Sequence, residues 1–430
     1  MGRPRKNPIN SSPSKKISSL PGAFDICLQA DPLWEALVKR FAKFSRVYGF
    51  ASIETPFLED TRLYENFYKN SPSKAATAVR VDLPAYLASS RPALLPSVLR
   101  AYYEHKIYDT VPLSKWSYSG FTAGCGEKDR LNFDYQFGFE VFGNFTHLTE
   151  AQVISAVWEM AQSLELKDLS LEINSIGKPD CQMAYEETLH DFLNSKKYQL
   201  CDNCNEHLHG RILNIFRCGN LDCQALVSEA PTILDFLDED SHKHFTNILE
   251  ALDELGIPYQ LNHLYAGPDG HNKTNLAIKY KYKGETVVLG EGGYHEGLMQ
   301  NLCGKNFCCF GFVGSLRQMY NHLELQKSTV VREQKSDVFL VPLGELASKK
   351  SLRLFRDLIC EKISVYDHFG MVGVKNQLKA AETFKAPVAL IMGQKEAVDE
   401  MVILRDVKSG MQEVISYDKI VEEVKKRLGK

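Results

Sequence analysis

The stretch Tyr135-Gln-Phe-Gly-Phe-Glu140-Val-Phe-Gly143-Asn-Phe145 decides the fold. Large apolar side chains at Phe137, Phe139 and Val141 alternate with Gln136, Gly138 and Glu140. A period of two is that of a strand, so Gln136 and Glu140 are expected on one face. Working outward, Leu169 to Asn174 alternates in the same way, and Lys279 to Leu289 predicts a hairpin turning at Lys283-Gly284. Helices do not separate these strands at regular intervals. That predicts an antiparallel α+β core rather than a doubly wound sheet. On the N-terminal side Asp31-Pro32 opens a helix, with Asp31 as cap and Gly49 as stop. Trp34, Leu37, Val38, Phe41 and Tyr48 form its buried face.

Beyond Lys327 the pattern changes. Residues 327–336 are mostly polar and break periodicity, which marks a linker. After it come an apolar strand at Val338–Val341, a helix from Ser348, an extended piece at Ser364–Asp367 and a helix from Val374. A second apolar strand at Val388–Met392, a hairpin turning at Ser409-Gly410 and a basic helix close the chain. Alternating strands and helices predict a separate α/β domain over residues 337–430. The expected order is a basic tail (1–19), a core in two parts (20–184 and 263–326) interrupted by an insertion (185–262), the linker, and that domain.

Composition bounds the function. The chain has 430 residues, 44% hydrophobic and 24% charged, enough to bury a large core. That excludes a disordered, collagen-like or disulfide-stapled chain. No run approaches ~18 apolar residues, so no membrane span is expected. The net charge is −3, so nucleic-acid contact must come from a local patch. Gly2-Arg-Pro-Arg-Lys6 reads as a solvated tail, and DNA contact by it is not expected. Eleven cysteines without a basic-then-apolar leader point to a reducing, cytoplasmic setting.

Four of those cysteines form two close pairs, Cys201-Asp-Asn-Cys204 and Cys218-Gly-Asn-Leu-Asp-Cys223. Such pairs, each on a tight turn, suit tetrahedral thiolate coordination of zinc, with His207 and His209 as spare donors. Four thiolates leave no open position, so the role expected is structural. Four thiols with no metal are the alternative. Cys303, Cys308 and Cys309 read as core residues of an apolar strand.

Several segments together resemble the histidyl-tRNA synthetase family of class II aminoacyl-tRNA synthetases. Glu54-Thr-Pro-Phe-Leu-Glu59 resembles its first, dimer-forming motif, and Gln136–Gly143 the end of its second. Asn174-Ser-Ile-Gly177 is similar to the stretch that follows. Ala230–Leu237 and Leu255-Gly-Ile-Pro-Tyr259 resemble its insertion domain, and Val374–Lys379 and Val402–Asp406 its anticodon-binding domain. The similarity runs in order from about Leu20 to the C-terminus. It implies a class II antiparallel-sheet core with a helical insertion, a C-terminal α/β anticodon-binding domain and a homodimer. The implied chemistry is activation of histidine by ATP, then transfer to tRNA. Lys375, Lys379, Arg405 and Lys408 are the candidates to face RNA phosphates, and Gln136, Glu140, Gly292 and Gly293 to line the small-molecule site.

Attack of a carboxylate on the α-phosphorus of ATP builds negative charge, which arginines and Mg²⁺ must meet in place. The chain departs from the family at each such position. Tyr118–Glu127 lacks the motif 2 arginine, and none follows until Arg130. Ala266 stands where the histidine-specific segment carries its arginine, and His271 where it carries a tyrosine. Gln318 replaces the motif 3 arginine, with Arg317 one place earlier, about 100° around a helix. The amino-acid pocket reads Arg91-Pro-Ala-Leu-Leu95 where the family has Arg-Pro-Glu-Gly-Thr, and Glu291-Gly-Gly-Tyr-His-Glu296 in place of Ala-Gly-Gly-Arg-Tyr-Asp. His271 and His295 read as pocket-wall or surface residues. The expectation is therefore a tRNA-binding relative whose ligation is lost or greatly weakened, with a cleft poorly fitted to ATP and Mg²⁺. Two alternatives stay open: an active histidine–tRNA ligase rescued by Arg130, Arg317 or Lys128, and a regulatory subunit like the synthetase-like partner of ATP phosphoribosyltransferase.

Overall fold

The computed structural model describes residues 19–25, 32–69, 78–83, 86–125, 131–268, 270–325, 337–367, 373–383 and 386–429. The Asp31 cap, the 327–336 linker, Lys128 and Arg130 lie outside them, as does the tail through residue 18. The chain divides into two compact units, Met1–Val331 and Arg332–Lys430.

The first unit is organised by an eight-stranded sheet. Its strands are β1 (Ala51–Ser52), β5 (Leu113–Cys125), β6 (Leu131–Gly143), β7 (Ser170–Ser175), β8 (Tyr259–Leu261), β9 (Asn272–Tyr282), β10 (Glu285–Tyr294) and β11 (Cys309–Ser315). The order is β1-β5-β6-β11-β10-β9-β7-β8. Every pairing is antiparallel except β1 with β5 and β7 with β8, the two edges. A smaller sheet pairs β2 (Leu58–Asp60) and β3 (Arg80–Leu83) with β4 (Tyr86–Ser90). The predicted hairpin is β9–β10, and Lys283 and Gly284 both take positive φ, 51° and 88°, as a two-residue turn between twisted strands requires.

Alternation in β6 gives each face its job. Phe137, Phe139 and Val141 are fully buried, and the rings of Phe137 and Phe139 meet Phe41 of helix Pro32–Val47 at centroid distances of 5.6 and 5.2 Å. Helix His147–Gln162 is buried along most of its length because it lies within the same core, with Phe245, Ile248 and Leu252 of helix Glu239–Glu254. The other face of β6 carries Gln136, Gly138 and Glu140. Tyr118 of β5 sits opposite Gly138, where a Cβ would fall 2.3 Å from its ring. Only glycine lets that ring cross the strand pair. A second apolar cluster, from Ile176 to Ile233 with Ala266, gathers helices Pro179–Ser195, Asp202–Leu208 and Leu221–Ser228 around the four paired cysteines.

The second unit is the expected α/β domain. Strands β12 (Val338–Pro342), β13 (Val365–Asp367), β14 (Val388–Met392), β15 (Met401–Asp406) and β16 (Gln412–Ser416) run in the order β13-β12-β14-β15-β16. The first three are parallel and the last two antiparallel. Both faces are covered, one by helices Glu345–Cys360 and Tyr417–Leu428 and the other by Val374–Thr383. That double cover explains why β12 and β14 read as unbroken apolar runs. Among the described residues no helix is long and apolar enough to cross a membrane.

Replacing Gly138 by Ala drives a Cβ into the buried Tyr118 ring. The expected cost is about 1–3 kcal/mol in urea unfolding, and an unchanged midpoint would mean that the ring is not held there.

Candidate functional site

A cleft of about 560 Å³ opens on the Gln136 and Glu140 face of the first unit's sheet. Its walls come from β6, β10 and β11, from the Pro92–Pro96 turn and from the segment around His271. The β6–β11 register sets Gln136 opposite Ser315 and Glu140 opposite Gly311. Gly311 is required there, since a Cβ would lie 1.9 Å from the Glu140 carboxylate.

Glu140 has no exposure to solvent, and His295, directly after β10, has 1%. His295 Nε2 lies 2.9 Å from Glu140 Oε2, off the axis that a hydrogen bond needs but in close ionic contact. The Tyr118 hydroxyl donates to the other carboxylate oxygen at 3.0 Å. Burial would by itself lower the His295 pKa, but Glu140 and the Cys309 sulfur outweigh it and hold the imidazole well above its ordinary value. Burial first, and Glu140 second, push the Tyr118 phenol well above its usual range. Cys309 is buried, its thiol raised chiefly by burial, and it does not line the cleft. Cys309, His295 and Glu140 therefore give a substrate no open route to sulfur. Cys309 is a core strand residue as expected, whereas Cys303 lies at the end of helix Glu296–Cys303.

Three further polar groups of the cleft are tied to the fold. Gln136 Oε1 accepts from the Leu94 N–H at 3.1 Å, just before helix Leu95–Glu104. Asp134 accepts from Ser315 Oγ at 2.5 Å, and Glu291 from the Tyr265 hydroxyl at 3.0 Å. Gln318 lines the cleft, as does Gly292, while Gly293 does not. Ala266 is 9% exposed and packs into the second apolar cluster.

Among the described residues the lining includes Asp134, Glu140 and Glu291 but no lysine or arginine. Three nearby arginines are engaged with backbone carbonyls. Arg91 donates to Phe121 O at 2.8 Å and to Thr55 O at 2.7 Å. Arg317 donates to Phe133 O and stacks on Phe24 at 3.9 Å, turned from the cleft as the one-residue shift predicts. Arg217 donates to Gly267 O at 2.7 Å.

Away from the cleft, Cys201, Cys204, Cys218 and Cys223 come together with all four sulfurs within 4.8 Å of one another. Cys201 Sγ and Cys218 Sγ are 3.8 Å apart, far beyond a disulfide bond. A backbone hydrogen bond at Cys204 leads the effects that lower the Cys201 thiol to about 7, and burial raises Cys204 and Cys223. In the second unit Lys375 and Lys379 are exposed one turn apart on helix Val374–Thr383. Arg405 is half-buried on β15, and Lys408 is exposed in the β15–β16 turn.

Sequence patterning could not reveal the contacts of Tyr118, His295 or Arg317. Each depends on which strands pair and in what register. The His295 contact also has a pH signature. Its raised pKa means that the pair's stabilisation is fully present below about pH 6.5 and is lost as pH rises through the higher folded value. Unfolding profiles should show wild type losing stability on the alkaline side and His295→Gln lacking that slope. Identical profiles would contradict the pairing.

A family model described as an anticodon binding domain matches residues 337–427. Over 410 residues the chain is 31% identical to the histidine–tRNA ligase of Moorella thermoacetica, covering 94% of this chain and 97% of that one. It is 28% identical over 412 residues to the enzyme of Dehalococcoides mccartyi, with 95% and 99% covered. Apo S. aureus histidyl-tRNA synthetase superposes with a TM-score of 0.77 at 25% identity, over 95% of this chain and all of that one. A Bacillus halodurans protein titled ATP phosphoribosyltransferase regulatory subunit/histidyl-tRNA synthetase shares the fold, at a TM-score of 0.62 and 14% identity over 89% of this chain and 99% of that one. With 31% identity to a histidine–tRNA ligase along nearly the whole length of both chains, the chain belongs to the histidyl-tRNA synthetase family.

Proposed function

We propose that this family member binds tRNA, histidine tRNA or a similar structured RNA, and has lost or nearly lost histidine ligation. One observation carries the proposal: among the described residues the cleft lining holds carboxylates and no lysine or arginine. An adenylating site must meet charge growing on a phosphate, and removing one positioned donor of this kind costs ~10²–10³ in rate. Losses within one site do not simply multiply, yet here Arg91, Arg217 and Arg317 are engaged with backbone carbonyls. ATP with Mg²⁺ is accordingly a poor fit. RNA contact falls to the second unit, with Lys375, Lys379, Arg405 and Lys408 as the phosphate-facing set, and the chain works as a homodimer through the Glu54–Glu59 segment.

The four-cysteine cluster is read as a structural zinc site. A tetrahedron with Zn–S bonds of about 2.3 Å has sulfur–sulfur edges of about 3.8 Å, which the Cys201–Cys218 distance matches. Zinc held by Cys201, Cys204, Cys218 and Cys223 would supply cross-linking and no reaction chemistry, since four thiolates fill its coordination.

Two measurements test these assignments. Histidine-dependent ATP–pyrophosphate exchange should fall at least about 10²-fold below that of an arginine-complete relative, while labelled tRNA is still retained. Robust exchange that Arg130→Ala or Lys128→Ala abolishes would restore the active-ligase reading. Elemental analysis should find one zinc per chain, lost in Cys204→Ser together with cooperative unfolding of the Ile176–Ile233 cluster. A metal-free chain of undiminished stability would remove the zinc assignment.

A further inference from the structure

Glu140 and His295 are the most deeply buried ionisable groups of the cleft lining. Both oxygens of the carboxylate have partners from within the chain: Tyr118 from β5 at 3.0 Å, and His295 from the end of β10 at 2.9 Å. Behind it the β11 backbone at Gly311 leaves no room for the carboxylate to retreat. The His271 ring stands 5.3 Å from the His295 ring on the same wall. The carboxylate is thus fixed in position, and the group that meets its charge is an imidazole.

We infer that His295 is a built-in ligand: its ring occupies the carboxylate subsite at the cleft floor, so the native chain closes that subsite to free histidine and to any other imidazole-type cation. The inference rests on the proposed loss of ligation and deepens it, because amino-acid recognition is then blocked independently of phosphate chemistry. A buried carboxylate stripped of its cation is costly to keep. Deleting the ring while leaving Glu140 and Tyr118 in place creates a hole of imidazole shape with an anion on its wall. A diffusible imidazole supplies both what fills the hole and what neutralises it.

The test is thermal unfolding of the full-length protein titrated with imidazole and, separately, with histidine. Wild type should show no saturable shift with either. His295→Ala should melt lower and recover saturably with imidazole, and the double variant His295→Ala/Glu140→Gln should lose that response. Should His295→Ala not fold alone, refolding it with and without imidazole reads the same property, with folded protein expected only in its presence. Saturable stabilisation of wild type by histidine, abolished by Glu140→Gln, would overturn the inference, and so would a His295→Ala chain indifferent to imidazole. Neither measurement involves ATP. A wild type that binds histidine but does not exchange pyrophosphate would therefore sink this inference and leave the proposed function standing.

Discussion

A carboxylate with no access to water persists only with a cation or donor beside it, and Glu140 draws both from its own chain. The surrounding architecture follows from that need. The β6–β11 register brings Gly311 under the carboxylate, and the β5–β6 register brings Gly138 under the Tyr118 ring that reaches it. Residues on the opposite face of β6 anchor the strand in the main core through Phe137, Phe139 and Val141. Small residues on one face and large ones on the other therefore serve a single purpose. They hold a negative charge at a fixed depth in a cleft and neutralise it internally.

The cations around the cleft fit the same picture. Arg91, Arg317 and Arg217 reach backbone carbonyls beside the lining segments. Arg91 is buried and Arg317 half-buried, so both act as staples for loops, and moving either toward a phosphate would strand those carbonyls, whereas Arg217 is exposed. Burial also lowers the Arg91 pKa, the expected sign for a cation held away from water. Arg91 and Arg317 thus serve the scaffold around the cleft.

Much of the fold was legible in the sequence because it rests on local periodicity and turn chemistry. The alternation of β6, the Lys283-Gly284 turn and the apolar runs of β12 and β14 each report short-range constraints. The cysteine cluster was legible for a similar reason, since close pairs on tight turns restrict where sulfurs can go. Gln136, Glu140, Gly292 and Gln318 line the cleft, but Gly293, one residue from Gly292, does not. The His295–Glu140 contact and the carbonyl that Arg317 reaches were not legible. Both depend on pairing between segments more than a hundred residues apart, which spacing cannot encode.

Among the described residues no lysine or arginine lines the cleft, and direct nucleotide binding tests what that implies most simply. Isothermal titration of the full chain with ATP and Mg²⁺ should give no saturable heat at the concentrations that saturate an arginine-complete relative. Saturable binding of one nucleotide per chain, lost on replacing Arg130 or Gln136, would contradict the account.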